Sequence, residues 1–133
     1  MTKDIIINGV SIDELKKQRV AIQKDASRVI AESIKAGTEL VEKLLLLEDE
    51  EGAEALAKEA YEQFDTARVV AGVSGVSFFL PYYEEYGRYD SDEILSQRIE
   101  GQVEFEWGDA ISELYGVLED MESDSRAWHS SMC

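Results

Sequence analysis

Apolar side chains recur along this chain at intervals of three and four, and the places where that rhythm breaks mark its elements. Asp4-Ile5-Ile6-Ile7-Asn8-Gly9-Val10 opens with β-branched residues and runs into an Asn-Gly turn signal, which predicts a short strand or extended arm over residues 1–10. Ser11 followed by Glu14 is a capping box, in which the hydroxyl satisfies a first-turn amide and the carboxylate reaches back to the cap amide. Val10 and Leu15 occupy the two positions of a hydrophobic staple, so a helix is expected to start here. Its apolar track runs Leu15, Ile22, Ala26, Ile30, Ile34. Gly37-Thr38 offers either a stop with a new cap or a weak point within one longer helix. Val41, Leu44 and Leu45 keep the phase if Gly37 belongs to the stripe, which favours a continuous or gently kinked helix to about residue 48. The acidic run Glu48-Asp49-Glu50-Glu51-Gly52 is the natural corner.

A second helix carries Leu56, Ala60, Phe64 and Ala67 on one face and is expected to end before Gly72. Residues 72–89 differ in kind: Gly72, Gly75 and Pro81 loosen or restrict the backbone, and Phe78, Phe79, Tyr82, Tyr83, Tyr86 and Tyr89 crowd six aromatics into twelve residues. Asp90 with Glu93 offers another cap. Beyond it, Val103, Phe105 and Trp107 alternate with polar residues as a strand would. A longer register competes: Leu95, Ile99, Val103, Trp107, Ile111, Leu114, Leu118 and Met121 are spaced by three and four. A helix accounts for eight positions and a strand for three, so one long helix is expected, although Gly101, Gly108 and Gly116 would each cost it about 1 kcal/mol relative to Ala. Gly101 and Gly108 could instead admit a neighbouring helix. From Ser123 the chain turns polar and reads as a mobile tail over residues 123–133. The predicted fold is all-α: a single domain over residues 1–133, built as an antiparallel helical bundle or long helical hairpin with a short N-terminal extended arm.

Charge changes this picture more than composition does. The 133 residues are 44% hydrophobic, enough for a working core and too apolar for a disordered acidic tail. The formal net charge is −16, and it is distributed unevenly. Residues 1–37 carry seven basic and five acidic side chains, whereas residues 38–133 carry six basic and twenty-four acidic ones. A field of that sign repels nucleic acid and anionic membrane and attracts basic surfaces over roughly 8–10 Å. The longest wholly apolar run, Leu44 to Leu47, is too short to cross a bilayer, and no secretory signal is visible near Asp4. The sole cysteine, Cys133, cannot form an intrachain disulfide, so a reducing, cytoplasmic setting is expected.

Catalytic constellations are scarce. His129 is the one histidine, and it lies in the polar tail, so neither a triad nor a zinc site can be assembled around it. Gly72-Val73-Ser74-Gly75 lacks the Gly-Lys-Ser/Thr ending of a phosphate-binding loop. Asp90-x-Asp92 starts like a calcium loop but has Leu95 where glycine is required. One metal pattern survives: Glu39-x-x-Glu42 and Glu62-x-x-Asp65 put two carboxylate pairs on helix faces, which resembles the magnesium site of all-α nucleotide pyrophosphohydrolases of the MazG type. In a chain with 29 acidic residues so loose a pattern also arises by chance. No cofactor is expected, and the chain is not read as an enzyme.

The acidic half offers a binding surface instead. Between Glu84 and Asp124 lie fourteen acidic residues and two arginines. On the expected long helix Glu106, Asp109, Glu113 and Asp120 recur away from the apolar seam, with Glu100 and Glu104 on a neighbouring line. Like charges so placed repel by tenths of a kcal/mol per pair, so their concentration points to a role. The aromatic cluster has two readings. Phe78, Phe79 and Tyr82 can plug the core, while Tyr83 and Tyr86, beside Glu84 and Glu85, can anchor an interface.

Two stretches carry a resemblance. Asn8 to Arg19, reading Asn-Gly-Val-Ser-Ile-Asp-Glu-Leu-Lys-Lys-Gln-Arg, looks like the start of many small phage-encoded helical proteins, and Asp124-Ser125-Arg126-Ala127-Trp128 is similar to a stretch in phage proteins of unknown function that carry methyltransferase-like modules. The likeness covers only these two segments at the ends of the chain and contains no catalytic signature. It implies a mobile-element context, in which small acidic proteins commonly neutralise host nucleic-acid enzymes. The expected function is therefore an acidic inhibitor that mimics DNA, or otherwise occupies a basic, nucleic-acid-binding protein surface, to block a restriction or CRISPR effector or another DNA-handling protein. No direct contact with nucleic acid or membrane is expected. An immunity protein against a nuclease toxin uses the same physics. A phage assembly chaperone or structural protein and the pyrophosphohydrolase are the alternatives, and exposed seam residues allow a homodimer.

Overall fold

The computed structural model describes residues 6–78 and 94–132. It is an all-α bundle with four α-helices among the described residues, preceded by a minimal hairpin of β1 (Ile6–Ile7) and β2 (Val10–Ser11). The strands pair antiparallel with Ile7 opposite Val10, and Asn8 and Gly9 form the two-residue turn with φ of 51° and 80°. Both turn positions need positive φ, which is why an Asn-Gly pair stands there.

Helix α1 (Ile12–Leu45) is continuous for 34 residues. Ser11 caps it by accepting from the Glu14 amide at 3.2 Å. Helix α2 (Glu50–Ser74) starts from Asp49, whose carboxylate accepts from the Gly52 amide at 2.7 Å. It passes through Gly72 and stops at the left-handed Gly75, three residues later than its sequence spacing predicts. The two helices form an antiparallel hairpin. The inward face of α2 is almost all alanine (Ala53, Ala57, Ala60, Ala67, Ala71), broken by the single large side chain of Phe64. Small residues let the helix axes approach, and Gly37 of α1 accommodates the one exception: a Cβ at Gly37 would stand 2.7 Å from the Phe64 ring. Gly37 is thus a member of the apolar stripe, and the helix runs through it.

The expected long third helix is not formed. Helix α3 (Leu95–Gln102) ends at Val103, which turns extended. A 3-10 turn (Phe105–Trp107) and an extended Gly108 follow, and helix α4 (Asp109–Met132) runs back. Ser96 contacts Glu122 and Glu100 contacts Tyr115, so α3 and α4 are antiparallel and the chain reverses near Gly108. The register nevertheless identified the right side chains: Leu95, Ile99, Val103, Ile111, Leu114, Leu118 and Met121 are all buried and Trp107 packs against them. A fold-back keeps an apolar seam pointed at one core as well as a rod does, so periodicity could not tell them apart. Helix α4 stays helical through Met132, past Ser123 where the polar tail begins.

The α3–α4 pair packs against the hairpin, α4 along α2 and α3 touching α1 through an Arg98–Glu42 ion pair at 2.6 Å. No described helix is long and apolar enough to cross a membrane.

A candidate acidic interface on the last helix

Burial divides helix α4 sharply. Ala110, Ile111, Leu114, Val117, Leu118 and Met121 face the core, leaving Asp109, Glu113, Glu119 and Asp120 exposed to solvent. At about 100° per residue, Asp109, Glu113 and Asp120 fall within roughly 40° of one line. At about 1.5 Å rise per residue they span about 16 Å. Residues 99–123 contain no lysine or arginine.

The other candidate acids are placed differently from the sequence expectation. Glu104 and Glu106 are exposed in the turn between α3 and α4, and Glu100 is exposed on α3, so these three do not extend the α4 line along one rod. The fold-back instead carries Glu100 alongside α4. The Tyr115 hydroxyl donates to Glu100 Oε2 at 3.3 Å and lies beside Glu119. The Tyr115 hydroxyl is pushed up to about 12, first by its hydrogen bond to Glu119, then by burial and by the charges of Glu119 and Glu100. A phenol with one proton serves two carboxylates here, tying the acids of α3 to those of α4. Among the described residues, Arg68 approaches the line. Arg68 on α2 pairs with Asp65, which raises its guanidinium above the ordinary value, and Asp120 adds to that rise. Among the described residues no lysine or arginine of the first half of α1 forms an ion pair with these acids, and Arg28 holds Asp25 and Glu32 on its own helix. Tyr83, Tyr86, Glu84 and Glu85 lie outside the described residues.

The possible magnesium ligands are not brought together. Glu42 is engaged by Arg98 and Asp65 by Arg68, while Glu39 and Glu62 are exposed. Among the described residues no three His, Cys, Asp or Glu side chains are grouped as a metal site would need.

Two carboxylates that spacing did not single out have structural work. Glu122 is buried, at 3% exposure, and its Oε1 accepts from the Ser96 amide at 3.3 Å, in the first turn of α3. Glu54 on α2 accepts from the Ala110 amide at 3.2 Å, in the first turn of α4. Its carboxylate lies so close to Gly108 that a Cβ there would overlap it. A signal existed in the sequence for Glu122, which is in phase with Leu114 and Leu118, whereas Glu54 is recognised only from its contact with the start of α4. An acid on an apolar face needs a buried donor.

Comparison with protein-family models, with curated proteins and with solved structures finds no match for this chain. The site must therefore be read from its own chemistry. An exposed line of carboxylates backed by a rigid helix can attract and orient a cationic surface, and its pull falls with added salt.

Proposed function

We propose that this chain is an acidic inhibitor that occupies the nucleic-acid-binding surface of a basic protein, a host defence or DNA-handling enzyme, in place of a polyanion. The observation that supports this reading is the line Asp109, Glu113, Asp120 on the solvent face of α4, in a stretch of twenty-five residues without a basic side chain. Carboxylates about one helical turn of 5.4 Å or more apart meet a groove that expects a phosphate about every 3.4 Å along a strand. The match is one of sign and extent rather than of repeat. Glu100 and Glu119, held together by Tyr115, widen the surface beside the line.

The test is elution. A host lysate is bound to a duplex-DNA column and eluted with this chain at low and at high salt. Specific proteins should come off at low salt with the wild-type chain. The triple reversal Asp109→Lys, Glu113→Lys, Asp120→Lys, at positions that leave the core untouched, should release none of them. If the reversed variant elutes the same proteins as efficiently, the reading is wrong. An immunity protein for a basic nuclease would give the same result with one target, a toxin, and the eluted protein's identity separates the two.

A further inference from the structure

The α1–α2 hairpin has two chemically opposite ends, both of which expose apolar side chains. At its closed end the corner after α1 carries Leu46, 83% exposed, and the half-open Leu47, followed by Glu48, Asp49, Glu50 and Glu51. Lys43 is the nearest base in the chain. At its open end Gln23 Nε2 donates to the carbonyl of Ser74, the last residue of α2, so that residues 12–22 of α1 reach beyond α2. There Leu15, Gln18, Arg19 and Ile22 face Gly72–Gly75 across a groove of about 540 Å³, with Ile22 60% and Val73 85% exposed. The groove lining carries one charged side chain, Arg19, and residues 12–25 hold Lys16, Lys17, Arg19 and Lys24 against Asp13, Glu14 and Asp25, a small positive excess in a strongly acidic chain.

We infer that copies of this chain associate head to tail, the Leu46–Leu47 corner of one seating in the Leu15–Ile22–Val73 groove of the next. The occupant is argued from charge and apolarity together. A chain of net charge −16 repels its own copies in most orientations. Bringing its acidic corner to its basic end is the approach that replaces repulsion with attraction. The same approach covers exposed leucine with exposed isoleucine and valine. The two patches differ, so the contact is heterologous, and it generates chains or rings rather than a two-fold dimer. A contact built on so few side chains is expected to be weak and to depend on concentration and salt. This surface is separate from the acidic line of α4, and neither proposal depends on the other.

Sedimentation of the full chain provides the test, using Leu46→Asp and Ile22→Asp, both at exposed positions where helical content should be unchanged. The wild-type chain should rise in average mass above 15.0 kDa with concentration and fall back in high salt. Each variant alone should stay at the monomer mass. An equal mixture of the two should form a species of twice that mass and no larger, because Ile22→Asp keeps an intact corner and Leu46→Asp an intact groove. A wild-type chain that is monomeric at every concentration overturns the inference. So does self-association of either variant alone, or a mixture that stays monomeric.

Discussion

The two halves of this bundle start their helices by different means. Helices α1 and α2 are capped by the residue directly before them: Ser11 holds the Glu14 amide and Asp49 the Gly52 amide. Helices α3 and α4 are capped from across the molecule. Ile94 offers no side-chain bond to α3, and the first turn of α3 is held by Glu122, twenty-six residues on. The first turn of α4 is held by Glu54, fifty-six residues back. Both arrangements satisfy amides that a helix leaves open. Ser11 does so with a neutral hydroxyl, whereas Asp49, Glu122 and Glu54 also place negative charge at the positive end of a helix dipole, worth about 0.3–1 kcal/mol exposed and up to about 2 when partly buried. The difference is that the first half is punctuated by its own sequence, whereas the second half acquires its boundaries only once it has packed.

That contrast can be broken most forcefully at the packing it depends on. Phe64→Ala empties the single large position on the inward face of α2 and should cost about 3–5 kcal/mol, measured as a lower denaturation midpoint; a loss under about 1 kcal/mol would mean Phe64 is not the keystone of the hairpin. Glu122→Ala leaves a buried Ser96 amide without its acceptor and should cost about 1–3 kcal/mol. Its signature is regional: amide exchange should quicken across residues 95–102 while α1 and α2 keep their protection. Equal loosening of all four helices would show that the cap is not specific to α3. Asp49→Ala should cost about 1 kcal/mol, with faster exchange confined to the first turn of α2.

The smallest effect concerns pH. The Tyr115 hydroxyl sits above its ordinary 10.0, at about 12, so the stability it contributes is complete below pH 10 and is lost as pH rises toward 12. Phenolate absorbance should show one tyrosine titrating late, and Glu119→Gln should bring it back toward 10. A tyrosine population that titrates together near 10 in the wild-type chain would break the link between α3 and α4 drawn through Glu100 and Glu119.

The legible parts of the fold are those governed by neighbours in the chain. The Asn8-Gly9 turn and the start of α1 at Ser11 are set by local backbone chemistry, whereas the corner expected at residues 48–52 falls earlier, between Leu45 and Glu50, and Gly37, where the sequence offered either a stop or a continuation, is matched to Phe64 across the hairpin. The apolar register also named the core of the second half correctly. It erred in reading Leu95 to Met121 as a single rod. The physical reason is that spacing by three and four records which side chains turn inward and says nothing about whether the backbone reverses between them. Gly108, counted as a penalty in a helix, is instead the point of reversal and the room for the Glu54 carboxylate. The same error carried into the candidate surface: Asp109, Glu113 and Asp120 do share a face, but Glu100, Glu104 and Glu106 reach the region through the fold-back and not along the helix.

By itself, then, the order of residues determined an all-helical chain, most of the side chains that leave water (Ile22, in phase with them, stays exposed), the cap of its first helix and a severe asymmetry of charge. Tertiary structure alone decided where α3 stops and α4 begins, which acids are consumed as caps or ion pairs, and which remain free on one face. Burial, pairing and reversal depend on groups that meet only after the chain has folded, fifty or more residues apart in the cases of Glu54 with Ala110 and Glu42 with Arg98.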